Sequence, residues 1–493
     1  MYYKPIQDKE LMPNMLMDFT NNTDTITSQV QDFSRRFKIG SILRLCGAHK
    51  QKGIEVLKVF YYLSTLLFCG TSMNRDQKTR KHGNMVKKDT CHRFLQSMKM
   101  DWNRFLSLLA KEIIDKDLLP IRRNDCKGEQ KPFFLVADDS SYYRNRSKKV
   151  ELSARNWDHA LRRYYKGFRM LTLVWTDGVS VLPVSFCNMS TCDQKKLLRQ
   201  SKKLAAKEKE DFGFKIRRLA RQKMNDTLLD LLDVATAAKL QARYLLCDKW
   251  FANPATIFAV KAKGYDVICM LKNSSTYYLY KGERRKLGQI FRMCVKDERI
   301  QRKLNRKAGK DDSKGRKFLF SATISLINKD GGPNQESKIV FVRNRNKKSE
   351  YLAILSTDGS LSEDQIVEYY CCRWGIETMF QTCKSFLCLQ KSTQSLDYSE
   401  IHASTAIVMF QYAMLSWLNR QNSDELSFGE LFYQLLEDVQ DAALFHAIEL
   451  VLALFVETLA SEYSMPPEKL NEAMNKFLMQ LPEKLKTCLD LAA

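Results

Sequence analysis

The spacing of apolar and polar positions divides the chain into helical stretches around a central β-rich stretch. Residues 54–68 (IEVLKVFYYLSTLLF) repeat as a buried helix does. Residues 74–88 (NRDQKTRKHGNMVKK) carry dense charge and read as a loop. Helical spacing resumes in KDTCHRFLQSMKMDWNRFLSLLAKEII, where Asp89 and Thr90 are cap candidates and His92, Arg93 and Lys99 form a polar face. A loop between two helices followed by such a face has the outline of a helix-turn-helix DNA reader; an ordinary helical bundle reads the same way.

From residue 131 the texture becomes β-like. KPFFLVADDS is a short apolar run ending in carboxylates, the place where open α/β sheets carry their sites. MLTLVWTDGVSVLPVSF reads as two strands around the turn Thr176-Asp177-Gly178. Three consecutive strands, the first delivering an acid, match the opening of an RNase H-like core. NDTLLDLLDVATAAKL is an amphipathic helix with Leu228, Leu231, Leu232 and Ala235 on one face. ARYLLCDKW is a second β run ending in an acid, Asp248, with a helix over 254–260 behind it, and DVICMLK is a further strand that ends at Lys272. Across 273–350, runs such as YYLYKG, FLFSATISLI and KIVFVRN alternate with basic loops, and 351–358 is a strand that returns to the core.

The chain is therefore expected to be α/β: a helical N-terminal region (1–130), an RNase H-like core in two parts (131–272 and 351–420), a β-rich insertion (273–350) and a helical C-terminal region (421–493). The last region holds thirteen acids against four bases after residue 421, which suits a packing or dimerising module better than a DNA surface. Its longest apolar run, 442–460, is interrupted by His446, Glu449 and Glu457 and reads as a packing helix, not a membrane span.

Residues 368–389 (EYYCCRWGIETMFQTCKSFLCL) read as one helix, capped upstream by Ser362 with Glu363 and Asp364, its Gly375 tolerated at a cost of about 1 kcal/mol. Tyr370, Arg373, Glu377 and Lys384 fall on one stripe at about 100° per residue. Trp374, Ile376, Met379, Phe380 and Phe386 surround them. A buried polar stripe needs partners or chemistry. A carboxylate flanked by cations and a phenol suits a site for metal and phosphate.

Composition narrows the partners. The net charge is +24 across 493 residues, which points to a polyanion, nucleic acid above all, or else to charge serving solubility. Basic stretches at 144–169, interleaved with Tyr, and at 195–223, read as a surface helix pair, are DNA-contact candidates or solvated faces. The 14 Cys show no paired CxxC spacing and the start lacks a secretory pattern, so reduced structural thiols in a cytoplasmic protein are expected. No glycine-rich nucleotide loop, HExxH or zinc-finger spacing occurs.

The spacing Tyr-x2-Arg-x3-Glu-x6-Lys resembles the signature of bacterial DDE transposases of the insertion-sequence-four group, and the resemblance covers roughly residues 130–420. It implies a catalytic triad of Asp139, Asp248 and Glu377. Asp139 follows an acid and precedes Ser140 in the family's Thr or Ser position. Asp138 is the alternative, because neighbours on a strand face opposite ways and only one can line the site. The three acids would hold Mg²⁺, with Mn²⁺ able to substitute. Arg373 and Lys384 would bind phosphate, Tyr370 would contact phosphate or position Glu377, and Lys272 would touch DNA. An aromatic of the family's insertion stacks on an extruded base. Tyr277, Tyr278 and Tyr280 are candidates for that role or are sheet-core residues. The resemblance further implies cut-and-paste transposition: cleavage at terminal inverted repeats, sometimes through a hairpin, and strand transfer into target DNA by a homodimer at the bacterial nucleoid. Two other readings stand beside it. A DNA-binding regulator without catalysis would bind ends and never cut. An RNase H-like nuclease would cut and never join.

Overall fold

The computed structural model describes residues 29–50, 52–68, 72–79, 86–121, 131–205, 211–307, 318–329, 331–344, 350–421, 425–436, 455, 458–459 and 466–480. The apolar run 442–460, most of the acidic C-terminal region and the first 28 residues fall largely or wholly outside them.

The run that begins at Phe134 becomes the strand around which the rest is assembled. β1 (Phe134–Tyr143) is buried continuously from Phe134 to Ala137, as an apolar run covered on both faces must be. β2 (Ala154–Asp158), β3 (Arg163–Thr176) and β4 (Val181–Met189) follow, then β5 (Tyr244–Cys247), β6 (Asp266–Met270), β7 (Tyr277–Tyr280), β8 (Glu283–Lys286), β9 (Phe320–Leu326), β10 (Gln335–Arg343) and β11 (Tyr351–Ser356). They form one sheet in the order β2-β3-β1-β5-β6-β11-β10-β9-β7-β8, with β4 also on β3. β1, β5 and β6 are parallel, in the register Ala137↔Cys247↔Cys269, and β3 and β11 flank them antiparallel. The turn at Thr176-Asp177-Gly178 lies between β3 and β4 as expected, with Gly178 at positive φ and Asp177 accepting from the amides of Val179 and Ser180.

Part of the basic stretch 144–169 is strand, since β2 and β3 pair across it. The β-like segment 273–350 also contains a 21-residue helix, Leu287–Lys307, and its β9 and β10 continue the central sheet through β11.

Among the helices are α1 (Ile39–Leu45), α2 (Lys88–Leu95), α3 (Trp102–Ile113), α4 (Phe212–Leu219), α5 (Met224–Ala237), α6 (Pro254–Ala262), α7 (Leu287–Lys307), α8 (Glu363–Cys371), α9 (Trp374–Ser385) and α10 (Tyr398–Gln421). These helices and the sheet belong to one compact unit, Ile39–Phe60 with Asn84–Phe428. A second unit gathers the described parts of Met1–Lys38, Tyr61–Gly83 and Gly429–Ala493. There Met73–Thr79, expected as loop, is helical, and Tyr62 donates to Asp76 at 2.7 Å.

Local signals explain several helix starts. Asp101 caps α3 through the Arg104 amide at 2.8 Å, and Asn253 caps α6 just before Pro254. α8 begins with a full capping box between Ser362 and Gln365. The stretch expected as one helix from Asp89 is two, α2 and α3. α2 begins at Lys88, so Asp89 and Thr90 lie inside its first turn. His92 does not offer a free face, since its Nδ1 lies 3.0 Å from the buried Glu400 carboxylate. The 195–223 stretch holds a short 3₁₀ turn and α4, and its Arg217 is fully buried rather than solvated. That guanidinium donates to both oxygens of Glu151 (2.8 and 2.9 Å), to the Gly213 carbonyl (2.7 Å) and to Ser399 (2.8 Å).

α10 is long and apolar enough to cross a membrane by length and composition, yet 94% of its most apolar window is buried inside the protein, which marks a core helix. His402 on α10 stacks on Phe186 at 4.1 Å, and neither ring nitrogen has a hydrogen-bond partner. Burial, with the Arg217 charge adding to it, pushes its pKa down to about 3. The unfolded chain therefore binds the proton that the folded chain refuses, between the ordinary His value and about 3. Stability falls as pH drops through that window, by about 1.4 kcal/mol per pH unit from this group. Urea unfolding at pH 6.5 and 5 is expected to show a loss of about 2 kcal/mol that His402→Phe removes.

The 368–389 stretch is not one helix. α8 ends at Cys371 and α9 begins at Trp374. Across the join the backbone stays right-handed but tightens to i→i−3 bonds, with the amides of Cys372, Arg373, Gly375 and Ile376 bonding to Tyr369, Tyr370, Cys372 and Arg373. Gly375 is required rather than tolerated. A Cβ there would lie 2.7 Å from a Val181 methyl carbon on β4. Gly375→Ala is expected to destabilise by about 1–3 kcal/mol despite the better helix propensity of Ala, and Val181→Ala in the same chain should recover most of it. Thermal melts of the single and double variants test this.

Candidate active site

Two aspartates follow the last parallel pair of β1 and β5, where β5 ends and β1 runs on to Tyr143. The register Ala137↔Cys247 makes Asp138 and Asp248 the next residues on β1 and after β5, side by side at the C-terminal end of the sheet. α9 lies against β1 and brings a third carboxylate. Arg373 joins it to Asp138: its Nη1 donates to Asp138 Oδ2 at 2.9 Å and its Nη2 to Glu377 Oε1 at 2.5 Å. Strand alternation puts Ser140 on the same side as Asp138, and Lys384 Nζ donates to its hydroxyl at 2.6 Å. Arg373 and Lys384 thus tie the join and the end of α9 to β1.

Asp139 lies on the other side of β1. Arg169 of β3 holds both of its oxygens, at 2.6 and 2.7 Å. In the structure it is Asp138, and not the expected Asp139, that shares Arg373 with Glu377. The reason is the period-two alternation of the strand, with an arginine on each face to claim the acid that points its way.

Burial raises the Asp138 carboxyl to about 7, although Arg373 and the Asp139 amide pull it down; the charges of Asp139 and Asp248 add to the rise. Burial lowers Lys384, and Asp158 opposes that shift. The Tyr370 hydroxyl is buried with no hydrogen-bond partner, its ring 5.7 Å from the Arg373 guanidinium, and burial pushes its pKa up. Lys272 is exposed two residues beyond β6, at the same end of the sheet as the aspartates. Of the three tyrosines considered for base stacking, Tyr278 and Tyr280 are buried in the sheet and Tyr277 is exposed beside the Lys286 ammonium, 5.3 Å from its ring. The described cysteines are free thiols, most of them buried.

Among the described residues no three His, Cys, Asp or Glu side chains are gathered closely enough to hold a metal ion. The donor chemistry still fits a hard divalent cation. The acids surround a positive group, the Arg373 guanidinium, and Asp138 bears a burial penalty that an adjacent divalent charge would reverse.

The chain is similar to two families across this region. Residues 60–289 match the family described as DDE superfamily endonuclease, and residues 217–410 match the family described as Transposase DDE domain. The matches support a DDE transposase. Asp138 and Asp248 fall within the first matched stretch, and Asp248 and Glu377 within the second. Both families describe enzymes that cleave nucleic acid, and the DDE superfamily generally uses divalent metals. The mixed α/β sheet with helices is consistent with a DDE nuclease fold. No curated protein matches the chain.

Sequence reasoning missed Arg169 and Trp250. Arg169 was one base among many in the 144–169 stretch, and Trp250 follows Asp248 by two residues. The alternation along FLVADDSS was the available signal for Asp138: Phe134, Val136, Asp138 and Ser140 share a face, and that face meets the aromatic ring of Tyr369 from α8.

Proposed function

We propose that this chain is a DDE transposase of the insertion-sequence-four type, with an RNase H-like core that cleaves DNA at the ends of a mobile element and joins them to target DNA. The observation that carries the reading is Asp138, inside β1, one step past the register Ala137↔Cys247 and so beside Asp248 just after β5, with Glu377 bridged to Asp138 by Arg373.

Asp138, Asp248 and Glu377 would hold Mg²⁺, with Mn²⁺ as a substitute. Bound there, the metal supplies activation of a water or 3′-hydroxyl and stabilisation of the leaving oxygen in an in-line phosphoryl transfer. The chain's own residues do the rest. Arg373, planar and two-pronged, binds the acids here and can turn a prong to a phosphate oxygen. Lys384 places an ammonium beside Ser140 on the site face of β1. The unpartnered Tyr370 hydroxyl is a donor awaiting an acceptor. Lys272 offers a cation to the DNA backbone at the same sheet end. Two copies of the chain would hold two terminal repeats in a synaptic complex, acting at the bacterial nucleoid.

Incubating a labelled duplex that carries the element's own end with wild type and Glu377→Gln tests the reading. Wild type is expected to nick it in Mg²⁺ or Mn²⁺, and the variant to lose the activity while still binding. Tight binding by wild type with no cut in either metal would replace the transposase with a binding-only regulator.

A further inference from the structure

The β2–β3 hairpin at the sheet edge has one anchored face and one bare face. On the anchored face Tyr143 donates to Asp158, and the rings of Tyr143 and Tyr165 meet at 4.8 Å. On the bare face Trp157 and Tyr164, directly paired across the hairpin, are 42% and 57% exposed. Their rings touch edge-on at 4.9 Å, and the Arg155 guanidinium covers Tyr164 at 4.2 Å. At the hairpin tip His159 lies 6.1 Å from the ring of Trp250, itself 52% exposed and two residues past Asp248.

Large aromatic surface left in water is unfavourable and wants a partner. Its chemistry is written in the surroundings. Between residues 154 and 166 every exposed charged side chain is basic, and the acid of the stretch, Asp158, is buried. Flat exposed rings with an arginine stacked beside them, in a basic setting, are what unpaired nucleobases recognise: the rings take the base faces and the cations take the phosphates. A duplex with its bases stacked inside has no free faces to offer. The Tyr143–Asp158 contact holds the hairpin in place, so little ordering is required on binding.

Building on the transposase reading, we propose that Trp157 and Tyr164 form a stacking platform for unpaired nucleotides of the DNA strand that approaches the acids. The partner is single-stranded or frayed DNA rather than intact duplex.

The test uses the full chain without divalent metal. It compares the affinity for a fluorescent single strand of about 12 nucleotides with that for a blunt duplex of the same sequence. Trp157→Ala with Tyr164→Ala is expected to weaken single-strand binding about tenfold or more and to leave duplex binding within about twofold. The salt dependence should not change, because no charge is removed. Trp157→Phe with Tyr164→Phe should restore most of the affinity, which excludes misfolding as the cause. Unchanged single-strand affinity in the Ala variant would overturn the proposal, as would an equal loss on both DNAs. A dimer that becomes monomeric in the Ala variant with single-strand binding intact would also overturn it, assigning the face to a second copy of the chain. If wild type binds the single strand but never cuts an end, the transposase reading fails and the platform stands. If wild type cuts and the Ala variant binds normally, the platform alone fails.

Discussion

Asp138→Asn is expected to reduce metal-dependent DNA cleavage by on the order of 10³-fold, while Asp139→Asn leaves cutting within about tenfold of wild type. The two residues are neighbours with nearly the same chemistry, so the contrast rests on geometry. Asp138 shares a face with Ser140, touches the arginine that touches Glu377, and sits beside Asp248 in the register of β1 and β5. Asp139 is held by both oxygens to Arg169, and that guanidinium lies 5.5 Å over the ring of Trp250. Removing its charge weakens two charge-assisted hydrogen bonds and should appear as about 2 kcal/mol of lost stability instead. Cleavage rates and thermal melts on the same two preparations separate these effects. Equal loss of cleavage in both variants would mean that the faces of β1 are not functionally distinct.

The second large effect is expected far from the acids. Arg217→Ala should destabilise by about 3–5 kcal/mol, because it strands Glu151 in the interior without its counter-charge. Glu151 accepts from Arg217 twice, from the Tyr398 amide at 2.8 Å and from Ser201, so the pair joins α4, the 3₁₀ segment and the start of α10. Burial alone would raise the Glu151 carboxyl, and the hydrogen bonds and charge of Arg217 overcome it, leaving the pKa below the ordinary carboxylate value. A group lowered on folding contributes its stability above the unfolded value and loses it as pH falls through the folded one, so the contribution is present near neutrality and lost in acid. Replacing both partners with apolar residues, Arg217→Met with Glu151→Leu, should recover most of the loss. Urea unfolding of the single and double variants measures it. A single-variant loss below about 1 kcal/mol would show that the pair is worth no more than an exposed one.

Much of this was legible in the sequence because periodicity carries it. The apolar run before Asp138, the turn at Asp177-Gly178, the amphipathic helix at Leu228–Leu232 and the second acid-ended run at Asp248 all repeat with the period of the element they form. Ser362 announced the start of α8, and its capping box is formed. What the sequence hid depended on contacts between distant residues. Which of two adjacent aspartates meets Arg373 and which meets Arg169 depends on residues of other elements. The break between α8 and α9 follows from tightened bonds and from Gly375 against Val181, which helical periodicity cannot display. The charge-rich 195–223 stretch concealed a buried Arg217, because a base in a basic run looks solvated until its partner at Glu151 is placed. His92 read as a surface cation until Glu400, three hundred residues on, lay against it. The segment 273–350 showed its strands but not its helix α7, whose Arg and Lys content resembles the basic loops around it.

On the function proposed above, the acids around Arg373 cut and join DNA. The measurement that tests it most directly follows a labelled linear duplex, ending in the element's terminal sequence with a free 3′-hydroxyl, incubated with wild-type protein, an unlabelled circular target and Mg²⁺. Label is expected to move into the circle only when divalent metal is present, and Asp138→Asn to abolish the transfer. Label that is released by cleavage but never joined to the circle would contradict that function, and would make the chain a nuclease rather than a transposase.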